Sequence, residues 1–279
     1  MLFVPANNEG FILKSHTRGA DAIILDLEDS VPIDQKQAAR DALPSAVEHI
    51  TQHNIDVLVR INYENNLAIL DLKAIVGLKV SAIVVAKTET AAQIGKISDQ
   101  MARLEKERAH GFPINLIAQI ESVNALLYLD DIAKAPRVSA MTLGPEDFCA
   151  SAGMSPTPDG LLFPNQQILF ACRRAGITPY GFVGSIADYS DLDAFRIMIR
   201  RASALGFEGA FCIHPDQAKI LNEELSPSDY DTAWAEGVVK AFETAKADGK
   251  GAFMYEGKMV DQPVILRAKK ILSLRTILI

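Results

Sequence analysis

Eight short apolar runs, most followed by a stretch of helical length, dominate this 279-residue chain. The runs cover residues 2–5, 22–27, 56–61, 82–86, 114–120, 138–143, 178–183 and 209–213. AIILDL and AIVVA are almost continuously apolar, as expected of strands buried on both faces. The stretches IDQKQAARDALPSAVEHI, TAAQIGKISDQMARLEKERAH and SDLDAFRIMIRRASALGF carry apolar residues at helical spacing. The last of them closes at Gly206, a residue type suited to a helix end. Repeated βα units predict a parallel sheet with right-handed crossovers. Eight units favour a closed (β/α)₈ TIM barrel over an open doubly wound sheet, and no GxGxxG follows the first run.

Beyond His214 the alternation stops. Residues 1–224 are expected to form the barrel. Residues 225–279 are expected to form a C-terminal helical extension that packs on a neighbouring subunit. The extension reads as a helix starting near Ser226 or Ser228, a Gly-rich extended stretch in GKGAFMYEGKMVDQP, and a basic-striped helix in VILRAKKILSLRTILI.

Composition narrows the partners. The 28 basic and 35 acidic residues leave a net charge of −7, which disfavours binding to phosphate backbones. No apolar run reaches the roughly 18 residues that a membrane span needs. The N-terminus has neither the basic region nor the long apolar region of a signal peptide. The three cysteines, Cys149, Cys172 and Cys212, form no CxxC and read as buried or half-buried thiols in a reducing cytoplasm. A small-molecule substrate is expected, with no nucleic acid and no membrane.

In a TIM barrel the chemistry lies where the strands end. Asp26, Glu28 and Asp29 end the second run or follow it, and Arg60 lies near the end of the third. Lys87 follows the fourth and Glu121 the fifth. Glu146 and Asp147 follow the sixth, and His214 the eighth. Several acids around one mouth repel each other, and a divalent cation relieves that repulsion. Oxygen-only ligands favour Mg²⁺, with Glu121 and Asp147 as the expected ligands because they follow neighbouring strands. Equally, Glu121 can cap the helical segment that follows it. Arg60 can clamp a carboxylate or an enolate oxygen, or pair with Glu28 or Asp29 across the rim. Lys87 suits an anion better than a Schiff base, because neighbouring acids keep it charged. His214 reads either as a base or ligand or as a hydrogen-bonded structural residue. His16, His49, His53 and His110 read as surface residues.

LFVPA, GADAIILDLEDSVP, KQAAR, VRIN, AQIES, LGPEDF, GFEGAFCIHPDQ and EGKMVDQP, in this order, resemble the citrate lyase β-subunit-like branch of the HpcH/HpaI aldolase family. The resemblance runs from residue 2 to about 263. It implies a TIM barrel with a C-terminal extension, assembled as a cytoplasmic homotrimer or hexamer. It also implies Mg²⁺-dependent cleavage or formation of carbon–carbon bonds in 3-hydroxyacyl thioesters such as citramalyl-, malyl- or citryl-CoA. Carried over by motif, Glu121 and Asp147 would bind the metal, and Arg60 would hold the keto-acid oxygen or the enolate. Glu28 and Asp29 would hold water at the metal and orient Arg60. Lys87 and Pro145 would line the substrate. Asp261, in MVDQP, would be the acid/base supplied to a neighbouring subunit.

The chain departs from the family pattern in places. No Arg-Ser pair precedes LFVP. Ala86 replaces a Pro before Lys87, Ala125 replaces a Gly, and Ala210 replaces a Lys before IHP. The PYGFVGSIADYSD segment lacks the usual Asp near Gly181. Several of these positions surround the thioester end of the ligand. Three alternatives therefore stand beside the CoA lyase: an aldolase acting on a free hydroxy-keto acid, a subunit acting on a carrier-protein thioester, and a non-catalytic homologue.

Overall fold

The computed structural model describes residues 1–109, 113–186, 190–247 and 251–276. His110, part of the PYGFVGSIADYSD segment and the end of the apolar tail lie outside the described residues. The chain divides into two compact units, Met1–Asn222 and Glu223–Ile279.

The first unit alternates strands and helices. In order they are β1 (Leu2–Pro5), α1 (Glu9–Ser15), β2 (Ala22–Asp26), α2 (Lys36–Thr51), β3 (Asp56–Ile61), α3 (Asn65–Ile75), β4 (Ala82–Val85) and α4 (Ala91–Arg108). They continue with β5 (Asn115–Ile120), α5 (Leu129–Ala133), β6 (Val138–Leu143), α6 (Pro145–Ala152), α7 (Pro158–Ala175), β7 (Thr178–Pro179) and α8 (Leu192–Leu205). The helix α9 (Pro215–Leu225) runs across the boundary between the units. β1 to β7 form one parallel sheet in sequence order.

The eighth expected strand, 209–213, is not a strand. Two isolated bridges take its place, pairing Cys212 with Leu2 and Gly209 with Tyr180 on the two edges of the sheet. Phe3 N–H donates to the Cys212 carbonyl and Cys212 N–H to the Met1 carbonyl, both at 2.9 Å. Gly181 N–H donates to the Gly209 carbonyl at 2.9 Å. The segment thus spans from the last strand back to the first. β7 is also shorter than the expected 178–183. Pro179 has no N–H to extend the ladder, and Gly181 has φ +143°, outside the extended range.

Side-chain alternation decides what each face of the sheet meets. Ala22, Ile24, Leu58, Ala82, Val84, Ile117, Ala140 and Phe211 form one buried cluster, with Met1, Phe3 and Tyr180 packed against it. The alternate residues Ile23, Leu25, Val57, Val59 and Ile83 are also fully buried. Both faces are therefore covered, which explains the continuous apolar runs. The helices begin and end as their sequences dictate. Thr90 caps α4 by accepting from Gln93 N–H, Asp191 caps α8 by accepting from Ala194 N–H, and Gly206 ends α8 at φ +105°.

The second unit contains α10 (Asp229–Ala247), the antiparallel hairpin β8 (Phe253–Tyr255) and β9 (Lys258–Val260), and α11 (Gln262–Thr276). Ser228 Oγ accepts from Asp231 N–H at the start of α10. Glu256 and Gly257 both have positive φ, the geometry a two-residue hairpin turn requires. Ala235, Val238, Val260, Ile265 and Ala268 give this unit its own core. Among the described residues no helix is long and apolar enough to cross a membrane. All three cysteines are free and buried.

Candidate active site

The parallel register places Asp26, the last residue of β2, beside Arg60 on β3. Their side chains form a two-pronged pair. Arg60 Nε donates to Asp26 Oδ1 at 2.7 Å and Nη2 donates to Oδ2 at 2.8 Å. Asp26 is 1% exposed, and it also accepts from the backbone N–H groups of Glu28 and Ser30 and from the Ser30 hydroxyl. Burial alone would raise the Asp26 pKa, but Arg60 outweighs it and the carboxyl is held below its usual value. Burial likewise opposes the charge on Arg60, yet Asp26, Glu28 and Asp29 together raise its pKa. The Phe3 ring lies 4.7 Å from the guanidinium carbon and covers it.

Glu28 and Asp29 link this pair to Lys87. Arg60 Nη1 lies 3.2 Å from Glu28 Oε2 and 3.8 Å from Asp29 Oδ2. Lys87 Nζ lies 2.5 Å from Glu28 Oε1 and 3.5 Å from Asp29 Oδ1. Burial opposes the charge on Lys87, but these acids raise its pKa and keep it a cation. The loop carrying Glu28 is fixed from beneath. Lys36 Nζ donates to the Leu27 and Glu28 carbonyls, and Asn62 Nδ2 donates to the Leu27 carbonyl and to the buried Asp71.

Glu121, just past β5, is buried against this cluster. Its Oε2 accepts from the Lys87 backbone N–H at 2.5 Å, and its Oε1 accepts from Gln119 Nε2 at 2.8 Å. Lys87 has φ +49°, a conformation that L-residues rarely adopt and that turns its N–H onto the carboxylate. On the other side Glu121 presses on Gly144, where a Cβ would stand 2.4 Å from Oε1. Burial pushes the Glu121 pKa up to about 7, and the charges of Glu28 and Asp147 add to the rise. The exposed Asp147 lies in the first turn of α6 with Glu146, just past the half-buried Pro145. The Glu146 carboxylate is taken by the Ser185 hydroxyl.

The oxygen donors suit a hard cation. A buried carboxylate with a raised pKa, crowded by two further acids, gains from a nearby positive charge. Gln119 Oε1 is buried without a hydrogen-bond partner and Glu28 Oε2 has no aligned donor, so acceptor capacity remains at the cluster.

Glu28, Asp29, Arg60, Lys87 and Glu121 are thus joined by direct contacts, and Asp147 acts on Glu121 through its charge. Asp261 lies in the second unit between β9 and α11, where its carbonyl accepts from Ile265 N–H. His214 Nδ1 is 3.4 Å from Asp216 Oδ2. Sequence reasoning placed Arg60 against Glu28 or Asp29 and missed Asp26 as its main partner. The register that sets VRIN beside AIILD brings them together, and it exists only in the assembled sheet. Gln119, Phe3, Lys36 and Asn62 were also missed, because nothing in their local sequence marks them. A cleft of about 580 Å³ between α3 and α4 is lined by Asn62, Tyr63, Glu64, Glu89 and Lys96 and does not include Arg60, Glu121 or Asp147.

A family model described as HpcH/HpaI aldolase/citrate lyase matches residues 1–215. The chain is 32% identical to the citrate lyase subunit beta of Leuconostoc mesenteroides subsp. cremoris, covering 98% of this chain and 92% of the relative. It is 33% identical to the L-malyl-CoA/beta-methylmalyl-CoA lyase of a Cereibacter sphaeroides strain, covering 97% and 92%. Among solved structures, it is similar to protein CitE from Mycobacterium tuberculosis in complex with magnesium, acetoacetate and coenzyme A. That likeness has a TM-score of 0.77 and 30% identity, covering 98% of this chain and 96% of the other.

Proposed function

The chain belongs to the HpcH/HpaI aldolase/citrate lyase family, and on that premise we propose that it is a Mg²⁺-dependent carbon–carbon lyase acting on a 3-hydroxy-dicarboxyl thioester of CoA. Citramalyl-, malyl- and citryl-CoA are the substrates to compare. Glu121 carries the reading. It is a buried carboxylate with a pKa raised to about 7, crowded by acids and pressed on a glycine. Lyase homologues and a structural neighbour bound to magnesium and coenzyme A support it.

Glu121 and Asp147 would hold the Mg²⁺. Bound there, the ion would polarise the substrate hydroxyl and carboxylate. In the cleavage direction the hydroxyl loses its proton to a base and the carbon–carbon bond breaks. The products are a keto acid and a thioester enolate, whose carbon then takes a proton. Arg60 would face the developing negative oxygen, with its direction set by Asp26 and its charge secured by Glu28 and Asp29. Lys87 and Pro145 would border the substrate. Asp261 would supply the proton to the enolate carbon, from a neighbouring subunit in a homotrimer or hexamer. A cytoplasmic location belongs to the same proposal.

A second reading, action on a carrier-protein thioester, is supported by the relatives named citrate lyase subunit beta. A cleavage assay on the three CoA thioesters, following keto acid and acyl-CoA, separates the two. Cleavage of one thioester that EDTA abolishes supports the first reading. Inertness towards all three, with turnover of a carrier-bound thioester, supports the second.

A further inference from the structure

Three of the five histidines in the chain converge on one outer face of the first unit. His16 follows the end of α1, His49 lies in the last turn of α2, and His53 follows four residues later. In the sequence they read as surface residues. Instead His16 and His49 are half-buried, His53 is exposed, and the three rings pack on one another. The His16 and His53 rings stack at 3.8 Å between centroids. His49 meets them at 5.2 and 5.0 Å. One ring nitrogen from each residue lies within 4.8 Å of the other two.

We propose that His16, His49 and His53 form a site for one divalent transition-metal ion of the Zn²⁺ class, which ties α1 to α2. The chemistry of each ring fits. His49 Nε2 contacts the Leu13 carbonyl at 3.1 Å and His53 Nδ1 contacts the His49 carbonyl at 2.9 Å. A carbonyl only accepts, so these nitrogens carry the protons. That leaves His49 Nδ1 and His53 Nε2 with free lone pairs. Metal-bound imidazoles commonly donate their other N–H to such a carbonyl, which fixes the tautomer. His16 Nδ1 is buried and has no hydrogen-bond partner.

Geometry and field agree with this reading. Bonds of about 2.0–2.1 Å to a tetrahedral Zn²⁺ set ligand nitrogens roughly 3.4 Å apart. One ring nitrogen of each residue already lies within 4.8 Å of the others, and the His16 and His53 rings, 18° from parallel, must turn apart to aim both lone pairs at one ion. The C-terminal end of the 16-residue α2 points its partial negative charge at the site, which favours a cation. Three imidazoles and no carboxylate select Zn²⁺, Ni²⁺ or Cu²⁺ over Mg²⁺. The exposed side of His53 leaves the fourth position to water. The ligands are separate from the residues around Arg60 and Glu121, so the site does not depend on the proposed lyase reaction.

The test is a Zn²⁺ titration of tag-free protein in excess Mg²⁺, which keeps the oxygen-lined site occupied, together with visible spectroscopy of the Co²⁺ form. The expected result is one saturable Zn²⁺ per chain and the intense absorption bands of tetrahedral Co²⁺. His53→Gln changes an exposed residue, and its far-ultraviolet circular dichroism should match the parent. It should weaken Zn²⁺ binding by at least roughly tenfold, abolish the Co²⁺ bands and leave basal turnover unchanged. Zn²⁺ at about a hundredfold excess over Kd should raise Tm by about 5 °C in the parent and not in His53→Gln. No saturable binding in the parent overturns the proposal, and so does binding that His53→Gln leaves intact.

Discussion

Asp26 and Arg60 meet through two parallel hydrogen bonds, at 2.7 and 2.8 Å, across neighbouring strands of the parallel sheet. The pair fixes the plane of the guanidinium and leaves Nη1 3.2 Å from Glu28 Oε2 as an ion pair.

Asp26→Asn breaks one prong of this fork and leaves Arg60 without its main counter-charge. Misdirection on the scale of 1 Å at a reacting group costs about 10² in rate. Loss of one partner of a buried pair costs on the order of 3 kcal/mol of stability. The expected outcome is a kcat lowered about a hundredfold and a lower Tm. Arg60→Lys keeps the charge without the fork, so it should recover stability better than activity. Equal recovery of both would mean that charge alone matters.

Glu121→Gln tests the buried carboxylate through pH. In the folded state burial raises the Glu121 pKa to about 7, against 4.5 for an ordinary glutamate. The folded state therefore holds its proton more tightly than the unfolded chain does. The stability this gives is fully present below pH 4.5 and is lost as pH rises to 7. Holding the ionised group then costs about 3 kcal/mol. The variant escapes that cost, and a flip of Gln119 would present its unpartnered Oε1 to the new amide. In EDTA at pH 8 the variant should melt above the parent, while at pH 4 the two should converge. Its Mg²⁺-dependent turnover should vanish. A variant that is less stable at pH 8 would contradict the assignment.

Gly144→Ala is a steric test of the same residue. The backbone there has an ordinary φ of −92°, so the methyl group meets no conformational penalty. Its Cβ would stand 2.4 Å from Glu121 Oε1, and the carboxylate must move. Mg²⁺ affinity should fall by roughly tenfold or more, with an overpacking cost of about 1–3 kcal/mol. Calorimetric Mg²⁺ titration checks this, and an unchanged affinity would place the metal away from Glu121.

Asp261→Asn tests the proposed proton donor. Loss of a positioned acid typically costs about 10²–10⁴ in rate. The expected outcome is a lowered kcat with KM nearly unchanged. A change in KM alone would make Asp261 a binding residue. Light scattering supplies the companion measurement, because a purely monomeric protein has no neighbouring subunit to donate the acid.

Much of the fold is legible from periodicity. Six of the seven strands of the parallel sheet lie within three residues of their expected limits, because strands covered on both faces must be apolar throughout. The failures lie around Pro179, Gly181 and Gly209, where side-chain pattern says strand but backbone chemistry interrupts the ladder. The rim acids could be located because strand ends can be located. Their partners could not. The reach of Lys87 to Glu28 spans 59 residues of sequence, and that of its backbone N–H to Glu121 spans 34.

Local pattern was enough to establish the αβ alternation, the parallel sheet and the concentration of charge where strands end. Those features follow from periodic burial and residue type, which any stretch of chain carries within itself. Tertiary structure alone decided that Asp26 is the partner of Arg60, that Glu121 holds its proton near neutrality, and that three separated histidines share one face. Each depends on burial and on charges brought close from distant parts of the chain. Electrostatic energy in a low-dielectric interior is set by those distances, not by order along the sequence.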